Sequence, residues 1–351
     1  MRWLFVIFLM AVPYWLMANS VAAQPASLII DHQSVVLFDQ IPDQYLDLAR
    51  ARTSLYLHAS VGGTILAGLN CLAGNRDNLA FCAGISEPQY QFNTSNWTWL
   101  AHALGGCDGK VQDLINAVTA NPNYQIYHQK FCYFEGMDAL GSACCNAQTY
   151  GTPGYTTALN THWNNFINTM NTLKTQNPTK IFVFWTTPYL TQTSDHCAND
   201  WNVRLRNYIQ TNGGILFDIA DIETYTPQGQ ITLINGLESA FPHYCGEYAH
   251  NPAATSCHPD LPFSPAGEPD GGIIRLAKAW WVLMAQIAGW NPNGSNPTPT
   301  PLPGDNDHDQ DRDLVDLRLL LSRFNTVYTP YNLVGTGLID IFDINRLIFF
   351  L

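Results

Sequence analysis

The chain has 351 residues, of which 46% are hydrophobic and 12% aromatic, so it holds enough apolar side chains for a sizeable core, which excludes wholesale disorder. Its 28 acidic and 16 basic residues give a formal net charge of −12 at pH 7. Charged residues make up only 13% of this acidic chain, so it lacks the basic surface that binds a phosphate backbone, and we do not expect nucleic acid as a partner.

The N-terminal residues predict an export signal. Arg2 supplies a positive charge, residues 3–17 are apolar, and the small residues 21–23 offer a cleavage site before Gln24. The apolar run is short for a membrane span, and no later segment reaches about 18 uninterrupted apolar residues. We therefore predict that residues 1–23 are a signal peptide and that the mature protein is secreted and not held in a membrane; an uncleaved anchor is the alternative.

Apolar runs alternate with amphipathic stretches over residues 24–291, which we interpret as one main domain. Buried strands separated by helices are typical of a parallel sheet covered on both faces, with the chemistry in loops at the carboxyl ends of the strands. The predicted strands are 53–58, 124–133, 180–186 and 214–219, and the predicted helices are 63–72, 110–120, 155–176, 199–211 and 272–288.

The chain holds nine cysteines, all of them after the predicted signal. In an oxidising compartment most should pair, and the odd number leaves at least one thiol reduced. Our candidate for the reduced thiol is Cys132, because it lies in the apolar run 130–134. The adjacent Cys144 and Cys145 are expected to bond to different partners. Zinc binding is the competing use, but the sequence has no CxxC pair to nucleate such a site.

A serine follows the first predicted strand where a helix is expected to begin. Ser60 comes two residues after His58 and precedes Gly62 and Gly63, whose missing side chains allow a sharp turn and a close approach of substrate. Amides at a helix N-terminus can stabilise a developing oxyanion, so this arrangement suits a nucleophilic serine. Helix capping by Ser60 is the alternative.

A nucleophilic serine needs a base, and His258 is the candidate. It lies in a loop rich in glycine and proline just before the last predicted helix. His58, His243 and His250 are the competing histidines.

The order of these residues resembles that of the SGNH (GDSL-type) hydrolases, and more closely a bacterial secreted branch of that superfamily. The likeness covers most of residues 24–290 and is carried by segments 31–35, 37–42, 58–63, 130–133, 186–188, 217–223 and 277–290. It implies a three-layer, flavodoxin-like α/β sandwich with a parallel sheet, in which Ser60 is the nucleophile and His258 the base.

The resemblance also implies an acyl-serine intermediate, with the backbone amides of Ser60 and Gly63 stabilising the oxyanion. The superfamily usually carries an aspartate three residues before the histidine, where this chain has Thr255, and an oxyanion asparagine near the position of Cys132. The acid that orients His258 is therefore open, as is a simple Ser60–His258 dyad. The candidates for that acid are Asp260, Asp221 and Glu247.

Residues 292–304 are rich in proline and threonine and predict an extended linker, which leads to a tail at 305–351. Counted from Asp305 as position 1, the tail has carboxylates at positions 1, 3, 5, 9 and 12, which is the spacing of an EF-hand-type calcium loop. A helix is predicted to begin after this loop, at Leu317. The predicted ligands are Asp305, Asp307, Asp309, Asp311 through its carbonyl, Asp313 and Asp316. A solvated acidic linker is the alternative.

A second, degenerate half-motif at 332–343 makes the tail resemble a type I dockerin-like domain, which implies structural calcium and a cohesin-like partner. Taken together, these features predict a secreted serine esterase that removes acyl groups, such as acetate, from a polysaccharide. The alternatives are a catalytically inactive carbohydrate-binding module, with Trp97, Trp99, Tyr150 or Tyr155 stacking on sugars, and a scaffold component with a docking tail.

Overall fold

One parallel sheet organises the described part of the chain. Its six strands are β1 (Leu28–Ile30), β2 (Ser54–His58), β3 (Trp97–Ala101), β4 (Ile126–Gln129), β5 (Ile181–Trp185) and β6 (Ile215–Phe217), in the order β1-β6-β5-β4-β2-β3. The computed structural model describes residues 27–58, 61–74, 88–132, 144–145, 149–189, 196–226, 229–240, 272–292, 294, 317–318, 320–321 and 344.

Eight α-helices occur in these residues, and most follow a strand directly. They are α1 (His32–Val35), α2 (Asp43–Arg50), α3 (Val61–Leu72), α4 (Cys107–Ala120), α5 (Pro153–Gln176), α6 (His196–Asn212), α7 (Ile219–Thr224) and α8 (Gly272–Ile287). A small antiparallel hairpin, β7 (Leu233–Ile234) and β8 (Leu237–Glu238), lies apart from the main sheet. All five predicted helices are present, within three residues of their expected ends.

Alternate side chains of the strands enter opposite hydrophobic cores, as the pleat requires. In β2, Tyr56 packs into one core, whereas Leu55 and Leu57 pack into the other; Val183 and Phe184 of β5 divide in the same way. Helices α1, α2, α3 and α8 cover the first core, and α4, α5 and α6 cover the second. The α/β class with a parallel sheet covered on both faces is therefore confirmed.

The strand order is consistent with a flavodoxin-like sandwich. If β1 is set aside and strands β2 to β6 are renumbered 1 to 5, their order across the sheet is 2-1-3-4-5. β1 is an additional edge strand beside β6. In such sheets the direction of winding reverses between the first and third strands, and a crevice opens outside their carboxyl ends. Here that reversal lies between β2 and β4, so the residues after His58 and Gln129 flank the crevice.

Two strands of the main sheet, β1 and β3, were not predicted, and neither was the hairpin β7–β8. β1 has three residues, too few for a recognisable apolar run, and the tryptophans of β3 were considered only for sugar stacking or core packing. The structure buries Trp97 of β3 in the first core, where it packs against Trp281 of α8 with ring centroids 4.9 Å apart. Core packing therefore explains Trp97 better than sugar stacking does.

Two disulfides link the N-terminal turns of α4 and α6 to the adjacent residues Cys144 and Cys145. Cys107, the first residue of α4, bonds to Cys144, and Cys197 in the first turn of α6 bonds to Cys145. The adjacent cysteines thus have different partners, as predicted, and the buried Cys132 keeps its thiol outside any disulfide. Disulfides that close loops of this length contribute about 2–4 kcal/mol, mainly by restricting the unfolded chain.

An ion-pair network ties α6 to the far end of the same edge. Arg206 of α6 contacts Asp218 after β6 with Nε–Oδ2 at 2.6 Å and contacts Glu238 of the hairpin with an N–O distance of 2.9 Å. Thr186 after β5 also donates to Asp218. Because Asp218 is buried, removing Arg206 would leave an unpaired charge, which typically costs about 3–5 kcal/mol.

In the tail, the described residues Leu317, Arg318, Leu320, Leu321 and Ile344 are helical, and the first four of them fall in the helix predicted after the acidic segment. Leu320 and Ile344 are buried. Among the described residues, no helix is both long and apolar enough to cross a membrane.

A serine–histidine pair lies in the middle of the sheet, where it is structural. Trp185 Nε1 donates to His128 Nδ1 at 3.2 Å, so the proton of the neutral ring is on Nε2 and is shared with Ser54 Oγ at 2.9 Å. Both His128 and Ser54 are at most 1% exposed, so no substrate reaches this pair. Burial lowers the pKa of His128 from 6.5 to about 3.

This histidine makes stability depend on pH. The unfolded chain takes up a proton at position 128 below about pH 6.5, whereas the folded protein does not until about pH 3, so stability falls as the pH falls through that window. Between pH 7 and pH 5 the loss due to His128 is about 2 kcal/mol.

The measurement is the free energy of unfolding in urea at pH 7 and pH 5 for wild type, His128→Gln and Ser95→Ala, an exposed control that does not titrate. We expect the difference between the two pH values to shrink by about 2 kcal/mol in His128→Gln and to stay unchanged in the control. An unchanged difference in His128→Gln would show that His128 is protonated in the folded protein.

Candidate functional site

The crevice between β2 and β4 is bordered by described residues on both sides of Ser60. His58 ends β2 and Val61 begins α3, so the chain passes from strand to helix within two residues. Ser60 lies outside the described residues, as do His258, Asp260 and Glu247 and the competing histidines His243 and His250. The geometry of the candidate site is therefore described from the residues at the ends of β2 and β4 and at the start of α3.

A glycine makes the turn from β2 into α3 possible. The ring of His58 packs directly on the backbone of Gly62, and a Cβ atom at position 62 would lie 2.2 Å from the Cβ and 2.7 Å from the Nδ1 of His58. A Cβ atom at position 63 would have no neighbouring atom within 4 Å, so the space in front of this residue is open. Gly62 thus serves close packing, whereas Gly63 faces free space at the first turn of the helix.

One buried cation, Lys130, approaches this turn. Lys130, which follows β4, is completely buried, and its Nζ donates to the carbonyl of Phe131 at 3.0 Å. Its backbone amide donates to Leu57 O at 3.2 Å, which holds the end of β4 against the end of β2. Burial, with smaller contributions from the charges of Lys130 and His102, lowers the pKa of His58 from 6.5 to about 4.

A second histidine lies on the other face of the sheet at this edge. His102, directly after β3, has its Nδ1 3.2 Å from Asp113 Oδ2 of α4 and its Nε2 3.2 Å from the carbonyl of Lys130. Burial first, and then the charge of Lys110, lowers the pKa of His102 to about 4. The His102–Asp113 pair was not predicted, because β3, whose end positions His102, was not recognised as a strand.

Asp221 is bonded to a different histidine from the one proposed. Its Oδ1 accepts from the backbone N of His32 at 2.7 Å and lies 2.5 Å from His32 Nδ1, and the ring of His32 stacks on Tyr225. Desolvation raises the pKa of Asp221. This pair follows β1 and β6, and β6 is three strand positions from β2, or about 14 Å away.

The predicted sugar-stacking residues have different environments. Trp97 and Tyr155 are buried, Trp99 is half-buried, and Tyr150 is 49% exposed. One face of the Tyr150 ring is covered by His196, with ring centroids 3.5 Å apart. Tyr150 precedes α5 and His196 begins α6, so this exposed ring lies at the carboxyl edge of the sheet.

The predicted calcium ligands also lie outside the described residues. These are Asp305, Asp307, Asp309, Asp311, Asp313 and Asp316. Within the part of the chain that is described, no group of three or more His, Cys, Asp or Glu side chains is arranged to hold a metal ion.

Comparison of the chain with protein-family models, with curated proteins and with solved structures finds no match.

The two glycines of the turn provide a matched pair of substitutions. Alanine favours a helix over glycine by about 1 kcal/mol, so Gly63→Ala, which meets no neighbour, should stabilise the protein by up to about that amount. Gly62→Ala should instead destabilise it by about 1–3 kcal/mol, because the new methyl group overlaps His58. Urea unfolding of both variants checks this, and equal effects of the two substitutions would show that the His58–Gly62 contact is not tight.

Proposed function

We propose that this protein is a secreted serine esterase in which Ser60 is the nucleophile and His258 the general base. The observation that carries the proposal is the turn from β2 into α3 at the reversal of the sheet. Ser60 is joined directly to the first residue of α3 and lies two residues after the end of β2. Serines at such a turn are exposed at the sheet edge and adjoin the amides of a helix N-terminus.

The chemistry follows from that arrangement. Ser60 Oγ attacks the ester carbonyl while His258 accepts its proton, and the resulting oxyanion accepts hydrogen bonds from backbone amides such as those of Ser60 and Gly63. The carbonyl re-forms as the alcohol leaves with the proton from His258. Water, deprotonated by His258, then hydrolyses the acyl-serine and releases the acid.

The contacts of Asp221 bear on the choice of the orienting acid. Its carboxylate is bonded to His32 and follows β6, three strand positions from β2. These contacts favour Asp260 or Glu247 as the partner of His258, or a Ser60–His258 dyad without an acid.

An acylated polysaccharide is the substrate class that we propose. The exposed ring of Tyr150 at the carboxyl edge can stack on a sugar, and its other face is already held by His196. The disulfides favour an oxidising compartment, as expected for a secreted protein acting on extracellular glycans. No metal or organic cofactor takes part in this reaction scheme.

A fluorophosphonate probe tests the nucleophile, because it reacts covalently only with an activated serine. We expect one adduct on the peptide that contains Ser60, its loss in Ser60→Ala, and a fall in p-nitrophenyl acetate hydrolysis to the uncatalysed rate. The exposed Ser95→Ala is the control and should keep both signals. A folded wild-type protein with neither adduct nor turnover would refute the esterase and favour a binding module.

The pH dependence identifies the histidine. A base with the ordinary pKa of about 6.5, as expected for His258, makes kcat/KM fall about tenfold per pH unit below that value. If His58 were the base, the fall would begin near pH 4, where its imidazole becomes protonated. Activity that persists to pH 5 would therefore indicate a base with a lowered pKa, such as His58.

We further propose that the tail is a calcium-binding, dockerin-like unit that docks to a cohesin-like partner. Oxygen ligands from closely spaced aspartates suit calcium, and the bound ion offsets their mutual repulsion. The helical residues after the loop and the burial of Leu320 and Ile344 favour a packed tail over a solvated linker.

Calcium removal tests the tail in the full-length protein. We expect a chelator to lower the helical circular dichroism signal, and calcium to restore it, because the loop orders the helix that follows it. The double substitution Asp305→Ala, Asp309→Ala should abolish saturable calcium binding in titration calorimetry, whereas Asp39→Ala, an exposed acid of the main domain, should not. Unchanged binding in the double variant would place the calcium elsewhere.

A further inference from the structure

His58 has a polar atom that no interaction accounts for. Among the described residues, His58 Nδ1 is buried and has no hydrogen-bond partner. A buried polar atom left without a partner typically destabilises a protein, and an apolar side chain would pack against Tyr56 and Gly62 equally well. The position of His58, two residues before Ser60, therefore calls for a chemical explanation.

The packing shows which edge of the imidazole is covered. Cβ, Cγ and Nδ1 of His58 all lie against Gly62 in the first turn of α3. Because the residue as a whole is only half-buried and Nε2, unlike Nδ1, is not a buried atom without a partner, the exposed part of the ring includes Nε2. His58 ends β2, so this part of the ring lies at the carboxyl edge of the sheet, beside the crevice between β2 and β4.

The surroundings also determine which nitrogen carries the proton. Nδ1 is buried without an acceptor, so a proton on Nδ1 would form an unsatisfied N–H, whereas a lone pair there is compatible with the positive partial charge at the start of α3. Burial and the charge of Lys130 keep the ring neutral above a pKa of about 4. A neutral ring with its lone pair on Nδ1 carries its single proton on Nε2.

From this geometry we propose that His58 is a further catalytic residue, whose Nε2–H donates a hydrogen bond to the oxyanion formed when Ser60 attacks the ester. This inference rests on the proposed esterase function. His58 keeps its proton throughout, and the negative charge on the oxygen disappears when the carbonyl re-forms and the alcohol leaves. A neutral imidazole held beside a helix N-terminus is suited to such a role, because it donates a hydrogen bond without acting as a base.

The role can be separated from packing by three substitutions at one position. His58→Gln keeps an N–H donor close to the position of Nε2, whereas His58→Leu and His58→Phe fill the space without a donor. With p-nitrophenyl acetate we expect kcat to fall about 10²–10³-fold in the Leu and Phe variants, with KM little changed, because the lost interaction exists only in the transition state. The Gln variant should recover at least about tenfold of that loss.

Two results would overturn the inference. One is wild-type kcat in a Leu or Phe variant whose circular dichroism spectrum shows it to be folded. The other is a Gln variant that loses as much activity as the Leu variant, because a role limited to packing predicts no benefit from a donor. Failure of the esterase proposal itself is recognised separately, since the wild-type protein would then show no fluorophosphonate adduct at Ser60.

Discussion

The contact between the imidazole of His58 and the backbone of Gly62 holds the end of β2 against the start of α3. Any side chain at position 62 would overlap the ring, so strand and helix approach each other only because this residue is glycine. In the sequence, Ser60 stands between the two residues that make this contact. The same contact desolvates His58, which is the largest cause of its lowered pKa.

The carboxyl edge of the sheet is divided between fastening and chemistry. Towards β5 and β6, the Arg206 network and the Cys145–Cys197 disulfide hold α6 and the hairpin in place. Towards β2 and β4, the described groups include His58 and the open space at Gly63. The stabilising contacts and the proposed chemistry therefore use different residues of the same edge.

Burial separates the serine–histidine pairs of this chain by role. Ser54 and His128 have the hydrogen bond expected of a catalytic pair, but they lie inside the sheet and are at most 1% exposed. Their residue types are the same as those proposed for Ser60 and His258. Burial assigns Ser54 and His128 a structural role, because a nucleophile must meet its substrate, whereas a core histidine must satisfy both of its nitrogens.

Local pattern was sufficient for strands β2, β4, β5 and β6, for the five predicted helices and for the separate partners of Cys144 and Cys145. Apolar periodicity and the strain of bonding adjacent cysteines are properties of neighbouring residues. Local pattern could not reveal β1 or β3, whose segments become strands by pairing with β6 and β2. Nor could it assign Asp221 to His32, 189 positions away. Such contacts follow from strand order and helix packing, which bring distant segments together by burying apolar surface that no single segment covers alone.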